Sequence, residues 1–340
     1  MIRKILFLGL FLLLLMPVMA QENDEDASEA ITWDEQYYAP YVYMGRYPFH
    51  QLALTAEETG VRYYSLAFIL ANHQCEATWL GTVPIVENSY ITNFLIPDLE
   101  ALRAMGGDVI ISFGGAGGTD LGVACEDVES LKAQYQLVID TYDVTHLDFD
   151  IEGDDIRDID SLHRRFEAIA ELQADNLAQG RELVISLTLP VIPTGLTEEG
   201  ITVVEMAYEY GVDIAVVNIM TMNFGDSFPS DRMGDNTIQS AESLYSQLED
   251  IYPDSDERDL WSEIGLTPMV GINDRQTEIF TLDDAQQVTD FVNETGIRLL
   301  SIWSLDRDIQ CDYVNVLAND CSGVDQDPFA FSEIFNTVTE

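Results

Sequence analysis

The sequence predicts an α/β protein built as a single (β/α)8 TIM barrel, on three observations. Apolar runs of strand length recur eight times along the 340 residues, stretches with helical apolar spacing separate them, and no Gly-rich phosphate loop follows the first run. Alternation of this kind implies parallel strands joined by right-handed crossovers, and eight units over about 300 residues fit a closed barrel. A doubly wound open sheet is the alternative, and the missing phosphate loop weighs against it. No linker rich in Pro, Ser or Gly interrupts the chain, so residues 34–340 read as one domain.

Taken along the chain, residues 1–20 read as a secretory signal: Arg3 and Lys4 precede an apolar run from Ile5 to Met16, and Val18 and Ala20 supply small residues before Gln21. The run is shorter than the ~20 residues of a comfortable membrane span. Residues 21–33 form an acidic tail of disordered composition. The strand-length runs are Tyr38 to Met44, Arg62 to Leu70, Asp108 to Phe113, His146 to Glu152, Leu183 to Leu189, Ile214 to Met222, Ile264 to Ile272 and Arg298 to Leu305. Between them Ser161 to Gln179, Thr197 to Tyr210, Thr237 to Ile251 and Leu282 to Thr295 show three- and four-residue apolar spacing and end near Gly or Pro.

Composition narrows the partners. Asp and Glu number 61 against 15 Lys and Arg, a formal charge of −46, and loss of Arg3 and Lys4 with the signal takes away two more positive charges. Such a chain repels polyanions, so nucleic acid and, once the signal is removed, anionic membrane surfaces are not expected partners; a secreted, extracellular monomer is. Four cysteines behind a secretory signal imply disulfides. Three pairings are possible. Cys75 with Cys125 and Cys311 with Cys321 is favoured, because the second closes a short loop and the first ties two neighbouring loops. No metal and no cofactor is expected, since no CxxC or HExxH spacing occurs and the four His are scattered.

The fourth run carries the chemistry. On an extended strand Asp148, Asp150 and Glu152 share one face while Leu147, Phe149 and Ile151 share the other. Count alone is weak support: with 61 acidic residues about two such triples arise by accident, and Glu22, Asp24 and Asp26 are one. Its place gives it meaning, because barrel enzymes build their sites at the C-terminal ends of the strands. Carboxyls ~6.6 Å apart repel by roughly 2.5 kcal/mol at an effective dielectric near 20, so protons are shared among the three. Glu152, outermost, is the expected proton donor, an acid suited to protonating a glycosidic oxygen.

At this point the residues resemble a known family. His146 to Gly153 is similar to the DxxDxDxE signature of family 18 glycoside hydrolases, the chitinases and their relatives, with Thr145 in place of the first Asp. Ile111-Ser112-Phe113-Gly114-Gly115 resembles the family's SxGG on the third strand, and Trp303 stands at the end of the eighth. Tyr38-Ala39-Pro40-Tyr41 and Thr267-Pro268-Met269-Val270-Gly271 are also similar to bacterial chitinases.

The resemblance implies cleavage of β-1,4-linked N-acetylglucosamine in chitin or chitooligosaccharides with retention and substrate assistance. Glu152 would be the acid, Asp150 would orient the substrate's acetamido group, and Asp148 would tune Asp150. Trp303 would floor the sugar subsite, with Tyr41, Phe68, Ser112, Met220, Met222 and Asn223 as further substrate contacts. For Tyr41 and Phe68 core packing competes with that role, for Trp79 capping the barrel competes with extending the cleft, and Asp150 has Arg157 as an alternative ion-pair partner. One departure stands out: where the family shows Met-x-Tyr-Asp on the sixth strand, this chain has Met220-Thr221-Met222-Asn223. An endo-β-N-acetylglucosaminidase and a non-catalytic sugar-binding protein share the pattern, and a metal-dependent hydrolase using the three carboxylates is a further rival.

Overall fold

The computed structural model describes residues 31–339 apart from 73, 87, 254–258 and 314–315. The expected signal at 1–20 and most of the acidic tail at 21–33 lie outside the described residues. Eight parallel strands close into a barrel. The first is in two pieces, Tyr37–Tyr38 and Tyr41–Tyr43, broken at Pro40, which has no N–H to give a ladder. The lower piece pairs with the eighth strand (Leu299–Leu300) and the upper piece with the second (Tyr63–Ala71), and this closes the ring. The third (Asp108–Gly114), fourth (His146–Asp150), fifth (Val184–Ile192), sixth (Ile214–Met220) and seventh (Ile264–Thr267) strands complete it, neighbour to neighbour. An open doubly wound sheet is excluded by that closure.

Several apolar runs are longer than the strands they form, the fourth, seventh and eighth among them. Pro268 stops the seventh at Thr267, and Gly271–Ile272 turns aside to pair antiparallel with Ile279–Phe280. The eighth is regular over two residues only, before the chain turns at Leu305–Arg307. The fourth ends at Asp150: Ile151 still donates its N–H to the Thr188 carbonyl at 3.0 Å, but Glu152 lies in the turn beyond rather than on the strand.

Helices Leu52–Thr59, Tyr90–Arg103, Val128–Tyr142, Ile159–Ala178, Glu198–Glu209, Met233–Ile251, Leu282–Thr295 and Ala330–Phe335 alternate with the strands. Ser89, Asp127, Asp158, Thr197 and Thr281 each begin one by accepting a backbone N–H near its start, and Thr281 with Asp284 makes a reciprocal capping box. Gly60 and Gly296 end two helices in the left-handed conformation that glycine adopts without a Cβ clash. Apolar stripes such as Leu162, Phe166, Ile169 and Leu172 face the outside of the barrel and meet the outward side chains Leu147 and Phe149 in the core.

Inside, the base of the barrel is aromatic. Trp33 stacks on Tyr63 at 4.2 Å and on His146 at 3.9 Å, and Tyr37 meets Tyr63 edge-on at 5.7 Å. Burial, with Arg298 nearby, pushes the His146 imidazole down to about 3, so the ring is neutral at ordinary pH. Over the top, Cys75 is bonded to Cys125 and Cys311 to Cys321, the favoured pairing. Trp79 is wholly buried and gives its indole N–H to Tyr142, so it packs rather than extends the cleft.

Candidate active site

The inward line of the fourth strand runs His146, Asp148, Asp150 from base to mouth, with Glu152 one step beyond. Asp148, only 2% exposed, sits where neighbouring strands bring hydroxyls level with it, through the register pairs Ser112 with Asp148 and Asp148 with Ser186. Four hydroxyls donate to it: Ser112 at 2.6 Å and Tyr41 at 2.8 Å to Oδ2, Ser186 at 2.8 Å and Thr188 at 2.7 Å to Oδ1. Hydrogen bonds to a charged group contribute about 1.5–3 kcal/mol each, enough together to offset much of the cost of burying a carboxylate. Burial raises the Asp148 carboxyl and these hydroxyls pull it back.

Asp150 is in the opposite condition. It is 5% exposed and its Oδ1 has no hydrogen-bond partner among the described residues. Burial first, then the charges of Glu152, Asp148 and Asp120, push its carboxyl well above the usual range, so it keeps a proton where an ordinary Asp would not. Gly114 makes room for it: at φ +96° a side chain is disfavoured, and a Cβ there would lie 2.1 Å from the Asp150 carbonyl oxygen. Gly115 then donates its N–H to that same carbonyl at 3.0 Å. Asp120, from the loop after the third strand, is fixed by the fully buried Arg165 at 2.5 Å. Glu152 is half-buried, and burial followed by the charge of Asp274 raises its carboxyl as well.

These groups open into a cavity of ≈ 390 Å³, at the small end of the ~300–1,000 Å³ typical of ligand sites. Trp303 forms its floor, lying nearly parallel to Phe68 at 5.7 Å and tilted against Tyr41 at 5.9 Å. Its backbone is tied to the residue just past the seventh strand by Trp303 N–H to the Pro268 carbonyl at 2.9 Å.

Of the expected residues, Glu152, Asp150, Trp303, Tyr41, Phe68, Met220, Met222 and Asn223 line this one cavity. Asp148 and Ser112 lie beneath it. Ser112, expected at the sugar, is fully buried with its hydroxyl on Asp148, because its strand position faces the barrel axis one layer too deep. Arg157 bonds Glu199 at 3.1 Å and is not a partner of Asp150. Sequence reasoning missed Ser186, Thr188, Asp120 and Asp274. The first two had a signal, since they alternate with Ile185, Leu187 and Leu189 on the fifth strand just as the acids do on the fourth. The other two come from loops, where no periodicity exists to find them.

A barrel with buried carboxyls below an aromatic-floored mouth is an arrangement that glycoside hydrolases use. No protein-family model matches the chain. The probable bifunctional chitinase/lysozyme of Escherichia coli is 34% identical over 320 residues, covering 91% of this chain and 35% of the relative. Endochitinase 11 of Metarhizium anisopliae is 34% identical over 287 residues, 82% of this chain and 53% of the relative. The chain thus spans about a third to a half of the length of the curated relatives it matches. Among solved structures, the catalytic domain of the hyperthermophilic chitinase from Pyrococcus furiosus superposes with a TM-score of 0.80 at 34% identity, covering 90% of this chain and 96% of that one. Catalytic-site mutants of active domain 2 of the thermostable chitinase from that organism have been solved in complex with chito-oligosaccharides. The chain belongs to family 18 of the glycoside hydrolases, the chitinase family.

Proposed function

We propose that this protein is a secreted, monomeric chitinase that hydrolyses β-1,4-linked N-acetylglucosamine polymers or oligomers with retention, using the substrate's own acetamido group as nucleophile. The observation that carries the reading is the pairing of two unlike carboxyls in one cavity: Asp150, buried with a free Oδ1, and Glu152, half-buried at the rim with its carboxyl raised. A raised acid at the rim keeps its proton to higher pH than an ordinary Glu and is fit to give it to a leaving glycosidic oxygen. As the C1–O bond breaks, the acetamido carbonyl oxygen bonds to C1 and an oxazolinium forms. The unoccupied Oδ1 of Asp150 is available to the acetamido N–H, which it would hold in line for that attack. Water then adds at C1, the oxazolinium opens, and Glu152 takes the water's proton back, so the acid is regenerated. Asp148, held by its four hydroxyls, tunes Asp150 from below through its charge. The Trp303 indole that lines the cavity suits the apolar face of a sugar ring. Secretion is supported by the signal-like residues 1–20 and by two disulfides, which persist in oxidising compartments.

The test is hydrolysis of a chitooligosaccharide ladder by the wild type and Glu152→Gln, with product anomers followed by NMR. The wild type should release β-anomers, and the variant should lose at least about 10²-fold in kcat while still binding the oligomer. Full activity in Glu152→Gln, or α-anomers from the wild type, would overturn the reading.

A further inference from the structure

Asn223 stands where the family keeps a carboxylate, and its surroundings give the substitution a purpose. It follows the sixth strand in the left-handed conformation, φ +53°, which Asn tolerates better than most residues. Both ends of its amide are used by the loop after the seventh strand: Oδ1 accepts the Arg275 N–H at 3.0 Å, and Nδ2 donates to Asp274 Oδ2 at 3.1 Å. Its own N–H points to Asn273 Oδ1 at 3.4 Å, and buried Asn273 in turn donates to the Met269 carbonyl at 2.8 Å. One residue on, Glu278 accepts the N–H groups of Phe224 and Gly225, both at 2.9 Å, and Arg275 pairs with Glu278 and with Asp226. The two loops are therefore clasped, and the clasp sets Asp274 on the wall of the same cavity as Glu152 and Asp150.

A carboxylate at 223 could not make this clasp. It would have no N–H for Asp274 and would repel it at hydrogen-bonding distance. Amide at 223 and acid at 274 are complementary: the first donates the N–H that the second accepts.

We propose that Asp274, held by the Asn223 amide, is a positioning residue for proton donation by Glu152, its charge facing that acid across the cavity. The proposal rests on Glu152 being the acid. Charges that bear on the pair are Asp150 beneath, Arg275, Glu278 and Asp226 in the clasp, and Arg307, whose buried guanidinium senses Asp274. After burial, Asp274 is the charge that raises Glu152.

The experiment is the pH profile of kcat and KM on a chitooligosaccharide at fixed ionic strength, for the wild type, Asp274→Asn, Asp274→Glu, Asn223→Ala and Glu152→Gln. Removing the Asp274 charge makes Glu152 a stronger acid, so the alkaline limb of kcat in Asp274→Asn should move to lower pH by about half to one unit, with KM nearly unchanged. At the wild-type limb this reads as a roughly two- to fivefold loss. Asp274→Glu keeps the charge and should keep the limb, and Asn223→Ala should shift it part-way. Asp274→Ser serves as a second neutral variant should Asp274→Asn fail to fold. Equal losses of kcat in Asp274→Asn and Asp274→Glu with the limb in place would overturn the proposal, since that is what a merely structural residue would do. Its failure is separable from failure of the chitinase reading, which would appear as an inactive wild type or an active Glu152→Gln.

Discussion

At the base of the barrel Trp33 stacks on Tyr63 and on His146, with ring centroids 4.2 and 3.9 Å away; at the mouth Trp303 lies nearly parallel to Phe68 at 5.7 Å and lines the cavity. Rings at both ends come from the same strands, Tyr63 and Phe68 from the second, Tyr37 and Tyr41 from the first. Below, the rings are matched by one another, His146 is held uncharged and Tyr63 gives its hydroxyl to Asp34, while the buried Trp33 indole N–H has no partner among the described residues. Above, the Trp303 ring borders the cavity and one Asp150 carboxyl oxygen is left without a partner among the described residues. The mouth differs from the base not in residue type but in what its groups face: Asp150 and Trp303 line the cavity and Trp33 does not, so it is at the mouth that a ligand gains.

Four expectations would break or sharpen that comparison. The largest concerns the mouth: Asp150→Asn should lower kcat on chitooligosaccharides by about 10²-fold with little change in melting temperature, because it alters a group without a protein partner. Steady-state kinetics beside a thermal melt would decide it, and a large fall in stability would mean that Asp150 is structural. At the base the outcome should invert. Trp33→Ala should cost about 3 kcal/mol in a denaturant titration while leaving the kcat of the folded fraction unchanged. Trp303→Ala should raise KM for oligomers about three- to tenfold, since stacking contributes about 0.5–1.5 kcal/mol beyond area.

The smallest effect is a matter of pH. His146 has a folded value pushed down to about 3, below its unfolded one, so the unfolded chain binds the proton more readily between the two. Its contribution is intact above the unfolded value near 6.5 and is lost as pH falls from there toward 3, by at most about 2.7 kcal/mol at pH 4.5. His146→Phe, which keeps a ring against Trp33, should show a smaller stability loss between pH 7.5 and 4.5 than the wild type. The raised carboxyls Asp148 and Asp150 act in the opposite sense, but they are common to both proteins and cancel in the difference.

How much of this was readable beforehand differs by region. The eight strands were legible because apolar runs have a period, and their ends were misjudged where a proline or a turn, rather than hydropathy, stopped the ladder, as at Pro268 and after Asp150. Ser112 was assigned to the sugar because its motif was visible while its depth in the barrel was not. Asn223 could be flagged as a departure from the family pattern, yet nothing in the sequence linked it to Asp274, which is 51 residues away.

The sequence by itself determined that Asp148 and Asp150 point the same way, because side chains alternate along any extended chain whatever surrounds it, and that Glu152 follows them past the strand end. It determined equally that Gly114 and Gly115 can follow Phe113 through a turn closed to other residues. Only the tertiary structure decided what three similar carboxyls become: one held by four hydroxyls, one buried and short of a partner, one half-buried at the rim facing Asp274. Charge state depends on burial and on charges brought in from other strands and loops, and those distances exist only once the barrel has closed.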